Sequence, residues 1–148
     1  MALLLALNLA ACTEHRTLEP RLPLPPWPPP GTVEGSGIGG QVYVLAPGDR
    51  LPLPDSNVVV TFHQVTQDSR CPANAICVWQ GDAALLMSVA IGRGPTVPFT
   101  LHTDLAPRDT TVAWFRIALT SLDPYPLSTD SIPADAYRAT FLVSILPD

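Results

Sequence analysis

From Gln41 onward the chain is a succession of short apolar and β-branched runs separated by turn-forming clusters, and this rhythm limits the fold more tightly than any other feature. Gln41–Leu45 and Val58–Val65 are rich in residues that suit a pleated, half-buried surface. Thr96–His102, Thr110–Phe115, Arg116–Leu122 and Tyr137–Leu146 continue the pattern. Ala83–Ile91 is apolar almost throughout, and periodicity alone allows a buried strand or a helix there. Gly81 and Gly92 bound it, with Asp82 just inside, which favours a strand. Pro-Gly, Gly-Asp and Pro-Asp clusters supply the turns, and Asp123-Pro124-Tyr125-Pro126 reads as a rigid one. Pro133-Ala134-Asp135 reads as one helical turn before the last strand. About seven short strands at this spacing predict an all-β fold, a single β-sandwich of immunoglobulin-like or small-barrel form.

Met1–Ala11 is an apolar run too short to cross a bilayer, which needs about 20 residues. It ends in Leu9-Ala10-Ala11-Cys12, and this small-small-Cys ending resembles the lipobox of bacterial lipoproteins. The resemblance covers residues 1–13. It implies cleavage before Cys12, a diacylglyceryl thioether on its sulfur and an acylated amino group. Several chains, at about 0.8 kcal/mol per buried CH₂, give durable anchoring where one chain is marginal. The implied location is a bacterial cell envelope, with the domain outside the cytoplasm. Thr13 stands where an Asp would signal inner-membrane retention, which implies the outer membrane if the organism has one. No Lys or Arg precedes the apolar run, so the expected start lies upstream of Met1 or the chain is truncated. The competing reading, a core element with Cys12 as a buried thiol, sits badly beside the polar, proline-rich segment that follows.

Three segments are therefore expected: a signal peptide at 1–11, a lipidated Cys12 with a disordered Pro/Gly-rich tether at 12–36, and the β-sandwich at 37–148. Pro20, Pro23, Pro25, Pro26, Pro28, Pro29 and Pro30 favour extended polyproline II. At about 3.1 Å per residue the proline run is a spacer of roughly 34 Å. Trp27 within it is either a groove-binding element or part of a bare spacer, and the spacer is the expectation. Gly35, Gly37 and Gly40 match G-x-G-x-x-G by spacing only, because a dinucleotide site needs a strand before and a helix after.

The net charge is −5 and all eight basic residues are arginines. Without lysine there is no P-loop or Schiff-base chemistry. An acidic chain with scattered arginines has no electrostatic footprint for nucleic acid. Nor is it drawn to an anionic membrane surface, so the lipid must do the anchoring.

Cys71 and Cys77, in a chain with an export signal, are expected to form a local disulfide. Closing so small a ring stabilises the fold by about 2.4 kcal/mol on the chain-entropy account. Cys12 is reserved for lipid, and Trp79 is expected to pack near the bridge. The segment Asp68-Ser69-Arg70-Cys71-Pro72, then Cys77-Val78-Trp79 and Gly81, resembles a group of bacterial secreted proteins and lipoproteins of unknown function. The resemblance extends to the apolar run Ala83–Ile91, to Leu119-Thr120-Ser121-Leu122-Asp123-Pro124-Tyr125-Pro126, and to Tyr137 ahead of the closing strand. It implies a small secreted β-domain and no particular activity.

Asp68, Arg70, Trp79 and Asp82 form the candidate binding loop, stiffened by the bridge, with Arg70 as its contact residue. The plainer expectation is an Asp–Arg pair that fixes the turn, and the two are compatible. His63 and His102 are the histidines of the domain, and His102 with Asp104 is the nearest thing to a ligand pair. Copper or zinc asks for more donors than that, so no metal or other cofactor is expected. No Gly-x-Ser-x-Gly, His-Glu-x-x-His or Ser-x-x-Lys motif occurs, and the domain has no Glu, so no catalytic residue is assigned. The sequence reading is a lipid-anchored, non-catalytic binding module for an envelope protein or polysaccharide. Its rivals are a small-molecule or metal-binding protein, a protease inhibitor and a small hydrolase.

Overall fold

In a computed structural model of the chain, residues 33–37, by their backbone, and residues 40–146 are described. The signal peptide, Cys12, Trp27 and most of the tether lie outside them. Nine strands occur among the described residues: β1 (Val33–Gly37), β2 (Gly40–Leu45), β3 (Arg50–Pro52), β4 (Val58–Asp68), β5 (Ala83–Ile91), β6 (Val97–His102), β7 (Asp109–Val112), β8 (Phe115–Asp123) and β9 (Arg138–Ile145). They form two antiparallel sheets, one ordered β1-β2-β9-β8-β7 and the other β3-β4-β5-β6. The fold is thus a β-sandwich of two separate sheets. The four consecutive strands of the smaller sheet set its order apart from that of an immunoglobulin domain.

The sheets meet through alternate residues of each strand. Val58, Val60 and Phe62 of β4 and Leu85, Met87 and Val89 of β5 face Ile117 and Leu119 of β8 and Phe141 and Val143 of β9 in one core cluster. Phe62 and Phe141 lock the layers edge to face, with ring centroids 6.4 Å apart. β5 is interior to its sheet, which accounts for its unbroken apolar run. A bulge between Leu119 and Ser121 shifts the alternation of β8, so that Leu122 rather than Ser121 returns to the core. Among the described residues no helix is long and apolar enough to cross a membrane; a single 3₁₀ turn, Ala134–Ala136, precedes β9 as expected.

Several elements differ from expectation, β4 among them, which runs past Val65 to Asp68. β1 begins at Val33, inside the 12–36 segment read as tether, because its glycines and glutamate carry no strand signal but its backbone pairs with β2. β3 is missed because Pro52 and Pro54 mask a three-residue edge strand. Phe115 belongs to β8, since the chain turns at Ala113, whose φ is +52°.

Pairings fix which strand ends lie together. Leu45 pairs with Ala139, Asp123 with Arg138, Asp68 with Ala83, and Ala84 with His102. The loops 69–82, 103–108 and 124–137 therefore leave the sandwich at one end.

Candidate functional site

At that end β4 and β5 continue past the sheet as a narrow loop. Ser69 N–H donates to Asp82 O (2.7 Å) and Cys71 N–H to Gln80 O (2.9 Å), so the two limbs stay paired up to the bridge. Cys71 and Cys77 are disulfide-bonded, with Cα atoms 6.0 Å apart. Gly81 makes the close approach of the limbs feasible. Its φ is +75°, and a Cβ there would lie 1.9 Å from Ser69 O.

Arg70 is the brace beneath the loop. It is 8% exposed. Its Nε donates to Asp68 Oδ1 (2.9 Å) and its Nη2 to Asp68 Oδ2 (2.7 Å), a two-pronged pair. Nη1 donates to the carbonyl of Leu122 (2.5 Å) and Nη2 also to that of Pro124 (3.0 Å). The guanidinium lies over the Tyr125 ring at 5.4 Å, and Tyr137 Oη donates to Asp68 Oδ2 (3.1 Å). One guanidinium thus ties the end of β4 to the β8–β9 loop of the opposite sheet. Burial disfavours the charged form of Asp68, but its bonds to Arg70, the Arg70 charge and the Tyr137 hydroxyl outweigh that and hold its pKa below the usual carboxylate value. Burial, then the Asp68 charge, pushes Tyr137 up.

Asp82 plays the matching part on the other limb. Its Oδ1 accepts from the backbone N–H of Asp104 (2.9 Å) and Leu105 (3.2 Å) and from Thr103 Oγ1 (3.2 Å), while Oδ2 lies 2.6 Å from His102 Nδ1. Burial again opposes its charge, and the Asp104 and Leu105 N–H groups with His102 more than compensate, lowering its pKa.

These contacts correct the sequence reading at three points. Arg70 is not an exposed contact residue, because all of its donors point into the fold; the turn-fixing Asp68–Arg70 pair is what the structure contains. Trp79, expected to pack near the bridge, leaves half of its surface exposed (54%). His102 partners Asp82 rather than Asp104, whose contribution is its backbone N–H. His63 lies against Ser88 Oγ at 2.7 Å, so the two histidines serve separate contacts. Among the described residues no three His, Cys, Asp or Glu side chains are grouped to hold a metal ion.

What remains open to a partner is the tip. Ile76 and Val78 are 105% and 103% exposed, and no residue from Cys71 to Gly81 carries a charge. The neighbouring loop, joined by Ala73 N–H to Pro126 O (2.9 Å), exposes Tyr125 and Leu127. Two clefts flank the Arg70 brace. One of about 230 Å³ lies over Gln80, Thr120 and Tyr125, and one of about 340 Å³ over Asp68, Ser128 and Asp130.

Sequence reasoning missed the Leu122 and Pro124 carbonyls, Tyr137 and the His102–Asp82 pair as parts of this assembly. Asp68, Leu122, Pro124 and Tyr125, far apart in sequence, converge on the Arg70 guanidinium, and Tyr137 bonds to Asp68 behind it. No protein-family model matches the chain, and neither a curated protein nor a solved structure is similar to it.

Proposed function

We propose that this protein is a lipid-anchored envelope component whose β-sandwich is a non-catalytic interaction module working through the tip of the disulfide loop. The observation that carries the reading is the pairing of an uncharged tip, with Ile76 and Val78 fully exposed and Trp79 half exposed, with a braced, disulfide-closed support. Exposed apolar side chains gain by being covered, and a stiff loop loses little conformational freedom on binding. The anchor at Cys12 and the place in a bacterial envelope rest on the resemblance of Leu9–Cys12 to a lipobox. Arg70, Asp68 and Asp82 shape the loop, and the tip residues make the contact.

The test is cross-linking of tagged full-length protein in bacterial cells, with Cys12→Ala as the mislocalised control. The expected result is one dominant adduct, to lipid or to a protein, lost in the control and in Ile76→Ser/Val78→Ser. An adduct pattern indifferent to both changes contradicts the proposal. The 340 Å³ cleft, near the lower limit for small-molecule sites, favours a second reading, binding of a small polar ligand between Asp68 and Asp130. Ligand-induced stabilisation abolished by Ser128→Trp, which fills the cleft, is its signature.

A further inference from the structure

We infer that the apolar tip seats in the hydrocarbon–headgroup boundary of a lipid bilayer, so that the protein meets the membrane twice, through Cys12 and through the loop at 71–80. The inference rests on the reading of Cys12 as the attachment point and names the occupant of the tip.

The first support is where the chain leading to Cys12 joins the fold. β1 is antiparallel to β2, with Gly37 opposite Gly40 and Val33 opposite Tyr43. Traced backward from Gly37 to Val33, it therefore runs toward the Leu45 end of β2. That is the end where Ala139 pairs with Leu45 and Arg138 with Asp123, the end that carries the disulfide loop. The N-terminal end of β1 and the apolar tip thus lie at the same end of the sandwich. From Cys12 to Val33 the chain spans at most roughly 75 Å, at about 3.6 Å per residue. A bilayer holding Cys12 is therefore within reach of the end of the domain that carries the tip. The opposite end also exposes apolar groups, among them Val97, Trp114 and Ile145, but the chain toward Cys12 does not start there.

The second support is the shape and chemistry of the tip. Ile76 and Val78 project without covering contacts, on a convex loop rather than in a groove, and a soft apolar medium accommodates such a knob without a preformed pocket. Trp79 follows them with its ring half exposed, and indoles favour the level of the headgroups. The charges at the base of the loop, Arg70 and Asp82, are buried and paired, and none lies between Cys71 and Gly81, so the loop itself carries no free charge into the bilayer. With a net charge of −5 the attraction is apolar, not electrostatic. It should be indifferent to salt and to anionic lipid. By itself so small an insertion is marginal, as a single short acyl chain is, and it acts by orienting a domain already tethered.

The experiment supplies the anchor chemically. The chain from Cys12 onward retains every described residue, and with Cys71–Cys77 closed its one free thiol is Cys12. That thiol is coupled to a maleimide lipid in phosphatidylcholine vesicles, in a Trp27→Phe/Trp114→Phe background that leaves Trp79 as the only tryptophan. The expected result is that bromine-labelled acyl chains quench Trp79 at least about twofold, its emission shifts to the blue, and iodide loses access. High salt changes nothing, and Ile76→Ser/Val78→Ser removes the effect. Emission and iodide access equal to those of the uncoupled protein overturn the inference. So does a Trp79 that is open on vesicles but shielded in intact envelopes, which points to a protein pocket instead. Whether cells attach lipid at Cys12 is read separately, from the mass of its peptide, so failure of the anchor reading and failure of the insertion are told apart.

Discussion

Removing the Arg70 guanidinium is the most informative perturbation of this fold. Arg70→Ala strands the Asp68 carboxylate with Tyr137 Oη as its remaining side-chain partner and takes donors from the Leu122 and Pro124 carbonyls. The side chains of the pair are 6% and 13% exposed, so solvent screening does not reduce the interaction to that of a surface ion pair. Breaking a buried pair by deleting one partner costs about 3–5 kcal/mol. The flanking clefts give the stranded carboxylate access to water, which places the expected loss at the lower limit, about 3 kcal/mol. For a domain of about 100 residues that is a fall in Tm of roughly 12 °C. The assay is urea unfolding followed by tryptophan fluorescence with the disulfide intact. Asp68→Asn combined with Arg70→Ala should lose less than the sum of the single losses, because neutralising Asp68 removes the stranded charge. Tyr137→Phe alone should cost about 1 kcal/mol. A loss below about 1 kcal/mol for Arg70→Ala would refute the reasoning, since it would mean a solvated pair and an arginine free to serve a partner.

Gly81→Ala should destabilise by at least about 3 kcal/mol, because it combines a left-handed backbone with a Cβ in contact with Ser69 O; Gly48→Ala, which shares a positive φ but meets no atom, should cost about 1 kcal/mol. Calorimetry of the two variants checks the contrast, and equal losses would contradict it. Cys71→Ser/Cys77→Ser should lower stability by about 2.4 kcal/mol in the same urea assay, with an unchanged loss in reducing buffer as the contrary result. Asp68 and Asp82 have pKa values lowered by folding, so their stabilisation is complete above the ordinary carboxylate value, about 4, and is lost as pH falls through the lowered ones. Unfolding free energy measured from about pH 6 down to about pH 2 should therefore fall in acid, and Asp68→Asn and Asp82→Asn should each flatten that fall. Ile76→Ser and Val78→Ser should leave Tm within about 2 °C of the parent, since neither side chain packs against the fold.

The strands were legible because their apolar runs are long or strictly bounded. Ala83–Ile91 is β5 to the residue, and its enclosing glycines decided a choice that periodicity left open. β3 and β1 were illegible because prolines and glycines fill them, and only pairing with β4 and β2 makes them strands. Within the site, neighbours in sequence were readable: the bridge and the Asp68–Arg70 pair follow from spacing. The cross-sheet contacts were not. Arg70 reaches Leu122 because a bulge in β8 returns Leu122 to the core, and no local pattern announces a bulge.

The central claim is that the tip of the disulfide loop, and no other surface of the domain, makes the contact. A photo-activatable amino acid at position 78, compared with one at the exposed Arg93 position in the β5–β6 turn at the opposite end, tests it in cells carrying the full-length protein. The account predicts adducts from position 78, to lipid if the tip seats in a bilayer, and background labelling from position 93. Equal labelling at both positions, or adducts from position 93 alone, would contradict it.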